Sequence, residues 1–427
     1  MDSPINMNMN KNKNIWTTGY TLLNVMYFAA FCTLHAYAAV FLLSRGFTNT
    51  QIGILLAAAN ITSALFQPYI AGIIDKGGWL TNRRFILISC LIILAGSVLL
   101  GFINDSKPAI FIIFAMIYMI QFAYQPVMTA LCFEYQKKGC DIYYGLARGL
   151  GSAGFAVTSA FLGSAVEKHG ETLLMTVTAV IMAVSVIAVY YFRPSKETNI
   201  TPTEMDTTAK ETAATPAETT KTPAEATGST PHPETAEHSN IREFFHTYPA
   251  FMLFVIATIF FFFAHNMIND FMIQIIRSLG GSETQLGYAN FLQAILELPV
   301  MALIGFVLRK VTPAQLLVFS GIAFFIKILI LVFAVNMVWM FVSQCFQLFA
   351  YAVFIPASAY YVSGTMTERD QVKGQAYVTS AITIGGVFSN LLSGVILDNL
   401  GMKPMLITGS VVCLAGVITS FAAIKKV

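Results

Sequence analysis

The sequence predicts an all-α membrane protein: twelve transmembrane helices in two pseudo-symmetric six-helix bundles, with both termini cytoplasmic. Three observations carry this. The composition cannot dissolve as a globule, apolar runs of membrane-spanning length recur along the chain, and a stretch of the first half returns without a gap in the second.

The 427 residues are 56% hydrophobic and only 11% charged, with a mean hydropathy of +0.67. A soluble domain carries about 25% charged residues, so the solvent of this chain is mostly lipid. There every backbone polar group must be satisfied internally, which leaves helices or a closed barrel. The apolar runs are continuous rather than alternating and select helices. Spans are read at 16–43, 51–75, 85–104, 109–135, 143–166, 171–193, 249–278, 285–308, 314–335, 338–363, 374–397 and 403–424, against the roughly 20 helical residues a bilayer core requires. The first run is too long for a secretory signal and lacks a small-residue cleavage site, so it reads as span 1.

Lysine and arginine set the orientation. With the N-terminus inside, the outer loops hold only Arg45, Lys107, Lys168, Arg277 and Lys403. Arg148 and Lys327 fall within spans, and the remainder of the 25 basic residues lie inside. Residues 194–243 ("TPAETTKTPAEATGSTPHPET" among them) have almost no large apolar side chains and predict a disordered cytoplasmic linker. It separates an N-terminal bundle (1–193) from a C-terminal bundle (244–427). The six cysteines show no disulfide or zinc spacing, and no metal or cofactor is expected.

The repeat pairs QIGILLAAANITSALFQPYIAGIIDK (51–76) with QLGYANFLQAILELPVMALIGFVLRK (285–310). Both open on Gln, an apolar residue and Gly, and both close on Lys. Gly163, Glu167 and Gly170 after span 5 match Gly394, Asp398 and Gly401 after span 11. Span 2 therefore corresponds to span 8, and span 5 to span 11. Parallel duplicated halves of this kind occur in transporters that rock around a central site.

On these residues the chain resembles the major facilitator superfamily, and within it the oligosaccharide:proton symporters (lactose permease-like) and the phenylpropionate permease-like group. The span-2 segment with its Phe-Gln-Pro and terminal Asp-Lys carries part of the likeness. Asp75, Lys76, Arg83 and Arg84 form a loosened version of the superfamily's Gly-x-x-x-Asp-Arg/Lys-x-Gly-x-Arg-Arg loop. "YGLARGLGSAGF" resembles the fifth span, with its embedded Arg148 and a ring-stacking aromatic at Phe155. In "GYANFLQAILELP", Glu297 stands where the phenylpropionate-like group has an acid, and Lys327 where it has an arginine. The resemblance implies the major facilitator fold, no enzymatic activity and solute transport across a cell membrane, with a bacterial inner membrane as the expected location. The Lys/His/Glu constellation of lactose permease span 10 is replaced by Gln344, Gln347 and Ala350, and the acidic partner of the sugar-site arginine by Ala130. These departures argue against lactose as the solute.

Ionisable groups inside a membrane are expensive and mark function by default. Glu297 and Lys327 are equidistant from the turn between spans 8 and 9, and Glu134 and Arg148 from that between spans 4 and 5. Residues so placed in an antiparallel hairpin share a depth, so two charge pairs are expected. Polar stripes run along single helical faces: Asn290, Gln293 and Glu297; Gln344, Gln347 and Tyr351; Tyr118, Gln121 and Gln125; Arg148, Ser152 and Phe155; Asn24, Phe31 and His35. Arg148, Phe155, Asn290, Gln293, Gln344, Gln347, Tyr351, Gln121, Gln125 and His35 are the expected solute-binding residues. Glu297, Lys327 and Asp270 are the expected proton-coupling groups, and Asp75, Lys76, Arg83 and Arg84 the cytoplasmic gate. Amides also serve as plain interhelical glue. Asn, Gln and aromatics with few charges suit a hydroxyl-rich solute such as a sugar, oligosaccharide or nucleoside, carried by alternating access with a proton, or sodium, as the coupling ion.

Two other readings stand: transport of an aromatic or hydrophobic compound, and a non-transporting receptor. No G-x-x-x-x-G-K-S/T or H-E-x-x-H run supports an enzyme. The expected partners are a small solute, the coupling ion and the bilayer. No nucleic acid is implied, and a monomer suffices.

Overall fold

The computed structural model describes residues 4–193 and 241–424. The expected linker disorder lies almost wholly outside the described residues. Each expected span is helical: α1 (Pro4–Phe31), a π-helical turn (Cys32–Ala36) and α2 (Ala38–Ser44); α3 (Asn49–Asp75); α4 (Asn82–Phe102); α5 (Lys107–Lys137); α6 (Tyr144–His169); α7 (Thr172–Tyr191). A short α8 (Ile241–Thr247) precedes α9 (Pro249–Asp270), α10 (Met272–Ser278), α11 (Glu283–Val307), α12 (Pro313–Val332), α13 (Met337–Cys345), a 3-10 turn (Phe346–Leu348), α14 (Tyr351–Thr365), α15 (Glu368–Asn399) and α16 (Met402–Ile424). Among the described residues every regular element is helical, and ten helices are long and apolar enough to cross a membrane. An eleventh is added if the first span, bent by 47° at its π-helical turn, counts as one. Spans 1, 7 and 10, read from sequence as continuous, are each interrupted.

The repeat acquires a physical meaning at the helix starts. Thr48 and Gln51 form a capping box on α3, with the Gln51 side chain accepting from the Thr48 N–H at 3.1 Å. Gln285 does the same for Ser282 at α11, at 2.8 Å. Each box satisfies N–H groups that the first helical turn leaves orphaned. The glycine two places on has a different reason. A Cβ on Gly53 would overlap the Asn390 carbonyl, and one on Gly287 the Ser159 carbonyl. In return, a Cβ on Gly394 would overlap the Asn49 carbonyl, and one on Gly163 the Glu283 carbonyl. Four glycines thus let α3 run against α15, and α6 against α11, backbone to backbone.

These contacts lie at the face where the α2–α3, α6–α7, α10–α11 and α15–α16 connections gather. Here the repeated acids bridge the two halves. Asp398 accepts from the Asn49 N–H (3.1 Å), the Asn49 amide (2.8 Å) and the Thr50 N–H (2.7 Å) at the start of α3. Glu167 accepts from the Ser282 hydroxyl (2.7 Å), the Thr284 hydroxyl and the Thr284 N–H (3.3 Å) at the start of α11. A carboxylate is favoured at a helix N-terminus, where unpaired N–H groups and the positive end of the dipole coincide. Away from this face α3 is less covered: it is buried at Ile52, Leu55 and Leu56, whereas Leu65 and Tyr69 are 70% and 66% exposed.

Candidate functional site

Midway along the C-terminal half, three side chains form a chain of hydrogen bonds. The Lys327 ammonium, 0% exposed, donates to Gln347 Oε1 at 2.7 Å, and Gln347 Nε2 donates to Glu297 Oε1 at 2.9 Å. Glu297 and Lys327, expected as a charge pair, interact electrostatically but are not in direct contact: an amide bridges them. Glutamine can do this because it offers an acceptor and a donor a fixed distance apart. Gln347 reaches both because span 10 breaks there into its 3-10 turn, with Ala350 at φ −84, ψ −92. Both polar atoms of the Gln347 side chain are thereby engaged.

The second expected pair does not form. Glu134 bonds at 2.6 Å to Lys138, four residues on and just past the end of α5, and accepts from the Asn82 amide at 2.9 Å. Equal distance from a turn fixes depth but not rotation about the helix axis, and an i,i+4 lysine is the nearer partner. Arg148 instead lies over the Phe28 ring, 4.1 Å from its centroid, and donates to the Ser152 hydroxyl at 3.3 Å. Its electrostatic neighbours in the C-terminal half are Glu297 and Tyr351.

His35 sits in the π-helical turn, stacked on Phe31 (4.1 Å between centroids) and beside Tyr118 (3.8 Å) and Phe122 (4.3 Å). Neither ring nitrogen has a hydrogen-bond partner. Phe155 borders the same aromatic group, 6.3 Å from Phe31. On the opposite side, His265 and Asn269 are 2.8 Å apart, and Gln293 donates to Asn269 at 2.9 Å. Tyr351 stacks on His265 at 5.1 Å. Asn290 Nδ2 and Gln344 Oε1 are buried without partners.

Gln121 has a structural task. It is 0% exposed, and its Nε2 donates to the Tyr27 carbonyl while the Tyr27 hydroxyl donates to its own carbonyl, both at 3.1 Å, tying α5 to α1. Gln125, one turn away, is partly exposed. Of the expected gate, Asp75 and Lys76 are exposed. Arg83 donates to the Val189 and Tyr190 carbonyls at 3.0 and 2.7 Å, and so caps α7 within its own half. Arg84 donates to the Trp79 carbonyl at 2.6 Å.

Sequence reasoning missed the bridging place of Gln347, the roles of Glu167 and Asp398, and a buried polar group on α15: Ser389, Asn390 and Ser393. The doubled Gly-x-x-x-acid-x-x-Gly spacing was the available signal for the acids. For Gln347 nothing in the local sequence marks the helix break.

No curated protein matches the chain. Among solved structures, the nucleoside transporter NupG superposes with a TM-score of 0.74 at 13% identity, covering 96% of this chain and 98% of that one. A bacterial homolog of the human lysosomal transporter Spinster gives 0.64 at 12% identity, covering 96% and 97%. An auto-inhibited POT family peptide transporter gives 0.67 at 10% identity, covering 96% of each. At these identities the likeness establishes the fold alone. The family model of the MFS_1 like family matches residues 18–407, and with the all-helical, membrane-spanning architecture this places the chain in that family of the major facilitator superfamily.

Proposed function

We propose that this protein is a secondary active transporter of a small polar solute bearing a ring, a sugar or nucleoside, moved by alternating access in symport with a proton. The observation that carries the reading is the bridged Lys327–Gln347–Glu297 set facing Arg148 of the other half. It puts a carboxylate and two cations in a hydrocarbon setting that only a working site repays. Arg148, with most of its five donors unused, is the solute's polar anchor. Phe155 and the aromatic group around His35 supply a face for its ring. Glu297 is the protonation site: a proton there removes the charge that Lys327 and Arg148 compensate and loosens the bridge through Gln347.

With the N-terminus cytoplasmic, as the basic loops indicate, the face clamped by Glu167 and Asp398 is the outer one. The described state is then the one closed at its outer face. The expected location is the plasma membrane, and one chain contains the whole site.

Reconstituted into proteoliposomes, the protein is expected to accumulate a labelled nucleoside or sugar when the lumen is made alkaline, and to catalyse counterflow without a gradient. Transport of none of a panel of nucleosides, sugars and aromatic carboxylates would remove the reading in favour of a receptor. Uptake of the carboxylates alone would favour the aromatic-compound reading, to which the cluster around His35 is also suited. Arg148→Lys keeps the charge but loses the planar fork and its stacking on Phe28. Losing one or two charge-assisted hydrogen bonds, each about 1.5–3 kcal/mol, should raise the half-saturating solute concentration in counterflow by roughly tenfold or more.

A further inference from the structure

Span 7 is broken where its polar residues lie. α9 stops at Asp270, Phe271 leaves helical geometry (φ −113, ψ 25), and α10 starts at Met272. A helix that ends inside a membrane presents its last carbonyls, the negative end of its dipole, to whatever lies there. Such half-helix C-termini are where broken-helix transporters coordinate cations.

α15 packs alongside this end. A Cβ on Gly386 would stand 2.6 Å from the Asn266 amide nitrogen, so the helices abut at that turn. One turn further along each are Asn390 and Asp270, and the Asn390 amide lies beside the Asp270 carboxylate. Asn390 is 0% exposed, and beyond this approach to Asp270 its amide makes no well-aligned hydrogen bond, its Oδ1 having no partner. The hydroxyls of Ser389 and Ser393, on the same stretch of α15, are likewise wholly buried and unpartnered. Interhelical glue does not account for them, because glue consists of bonds made. A carboxylate at the carbonyl end of a broken helix, a buried amide oxygen beside it and two buried hydroxyls on the same stretch of α15 are the donor types a hard cation takes.

We propose that Asp270, Asn390, Ser389 and Ser393 form a site for a monovalent cation of the sodium class, at the α9 break and separate from the protonation site at Glu297. One carboxylate among neutral oxygens balances a single positive charge. Among the described residues no group of three His, Cys, Asp or Glu side chains converges to hold a divalent or transition metal. The site also adjoins the closed face, since the Asn390 carbonyl is the atom against which Gly53 packs. A cation here therefore ties α9 to the same stretch of α15 that clamps α3.

The test uses the purified full chain in detergent at constant ionic strength, with NaCl exchanged against KCl or choline chloride, and reads thermal unfolding. A ligand that binds the folded state alone raises the midpoint in a saturable way. Sodium is expected to raise it, and potassium and choline are not. Asp270→Asn should abolish the sodium shift, and Ser393→Ala should raise the half-saturating sodium concentration about tenfold. Glu297→Gln should leave the shift intact, which separates this site from the proton-coupling reading. The absence of any sodium-specific shift, or its persistence unchanged in both Asp270→Asn and Ser393→Ala, would overturn the proposal. Should Asp270→Asn fail to fold, Ser393→Ala and Asn390→Ala decide it.

Discussion

Glu297→Gln is expected to abolish accumulation driven by a pH gradient while leaving counterflow exchange in place. Glutamine keeps the shape of the side chain and can still accept the hydrogen bond from Gln347 Nε2, now 2.9 Å from the carboxylate. What it loses is the exchangeable proton and the negative charge. The variant therefore resembles the permanently protonated carrier, which can bring solute across in either direction but cannot return a proton's worth of work. The expected accumulation ratio falls to about one at every pH, and exchange loses its dependence on pH. Both are read in the same proteoliposomes by comparing uptake with and without a gradient. Undiminished accumulation in the variant would show that coupling lies elsewhere. Gln347→Ala is a useful companion: it leaves Lys327 and Glu297 present but unbridged. A buried ammonium that has lost its acceptor is among the costliest single changes, so both coupling and thermal stability should fall.

Gly287→Leu and Gly394→Leu are expected to stop the cycle at the other extreme. At both positions a side chain would occupy the space of a main-chain carbonyl in the opposite half, of Ser159 and of Asn49. Backbone cannot rotate out of the way as a flexible side chain can, so the closed face must separate. Solute affinity should survive, because neither glycine belongs to the Arg148–Glu297 region, but net transport should drop by an order of magnitude or more. Nitroxides at Lys107→Cys and Lys403→Cys, at the starts of α5 and α16 on that face, should report a longer distance. Asp398→Asn and Glu167→Gln should move the same distance distribution in the same direction by a smaller amount, since each weakens a clasp without inserting volume. An unaltered distance in the leucine variants would mean that the described packing is not the closed state of the working protein.

How far the sequence could be read depended on which quantity was asked of it. Helix type, the positions of ten or eleven spans, and the kinship of span 2 with 8 and of span 5 with 11 were legible, because hydrophobic run length and a gapless repeat are one-dimensional signals. Depth was legible too: Glu297 and Lys327 lie close enough for a single amide to bridge them. The partner of Arg148 was not, because rotation about a helix axis is set by packing against neighbours. Phe28 took the place assigned to Glu134, and Lys138 took Glu134 itself. The breaks in spans 1, 7 and 10 were hidden because none coincides with a glycine or proline at the break. At the span-10 break Gln347 bonds to side chains of α11 and α12, contacts that no local signal announces.

By itself, then, the sequence determined a duplicated helical bundle in lipid and nominated its few buried ions, since the cost of placing charge or an unpaired backbone group in hydrocarbon is a local property of each residue. Only the tertiary structure decided that an amide stands between Glu297 and Lys327, and that the repeated acids cap helices of the opposite half. It alone put Asp270 at a helix end beside unpartnered oxygens. Those are relations between segments as far apart as Asn49 and Asp398, and hydrogen bonds and close backbone contacts act over only a few ångströms once the fold has brought such segments together.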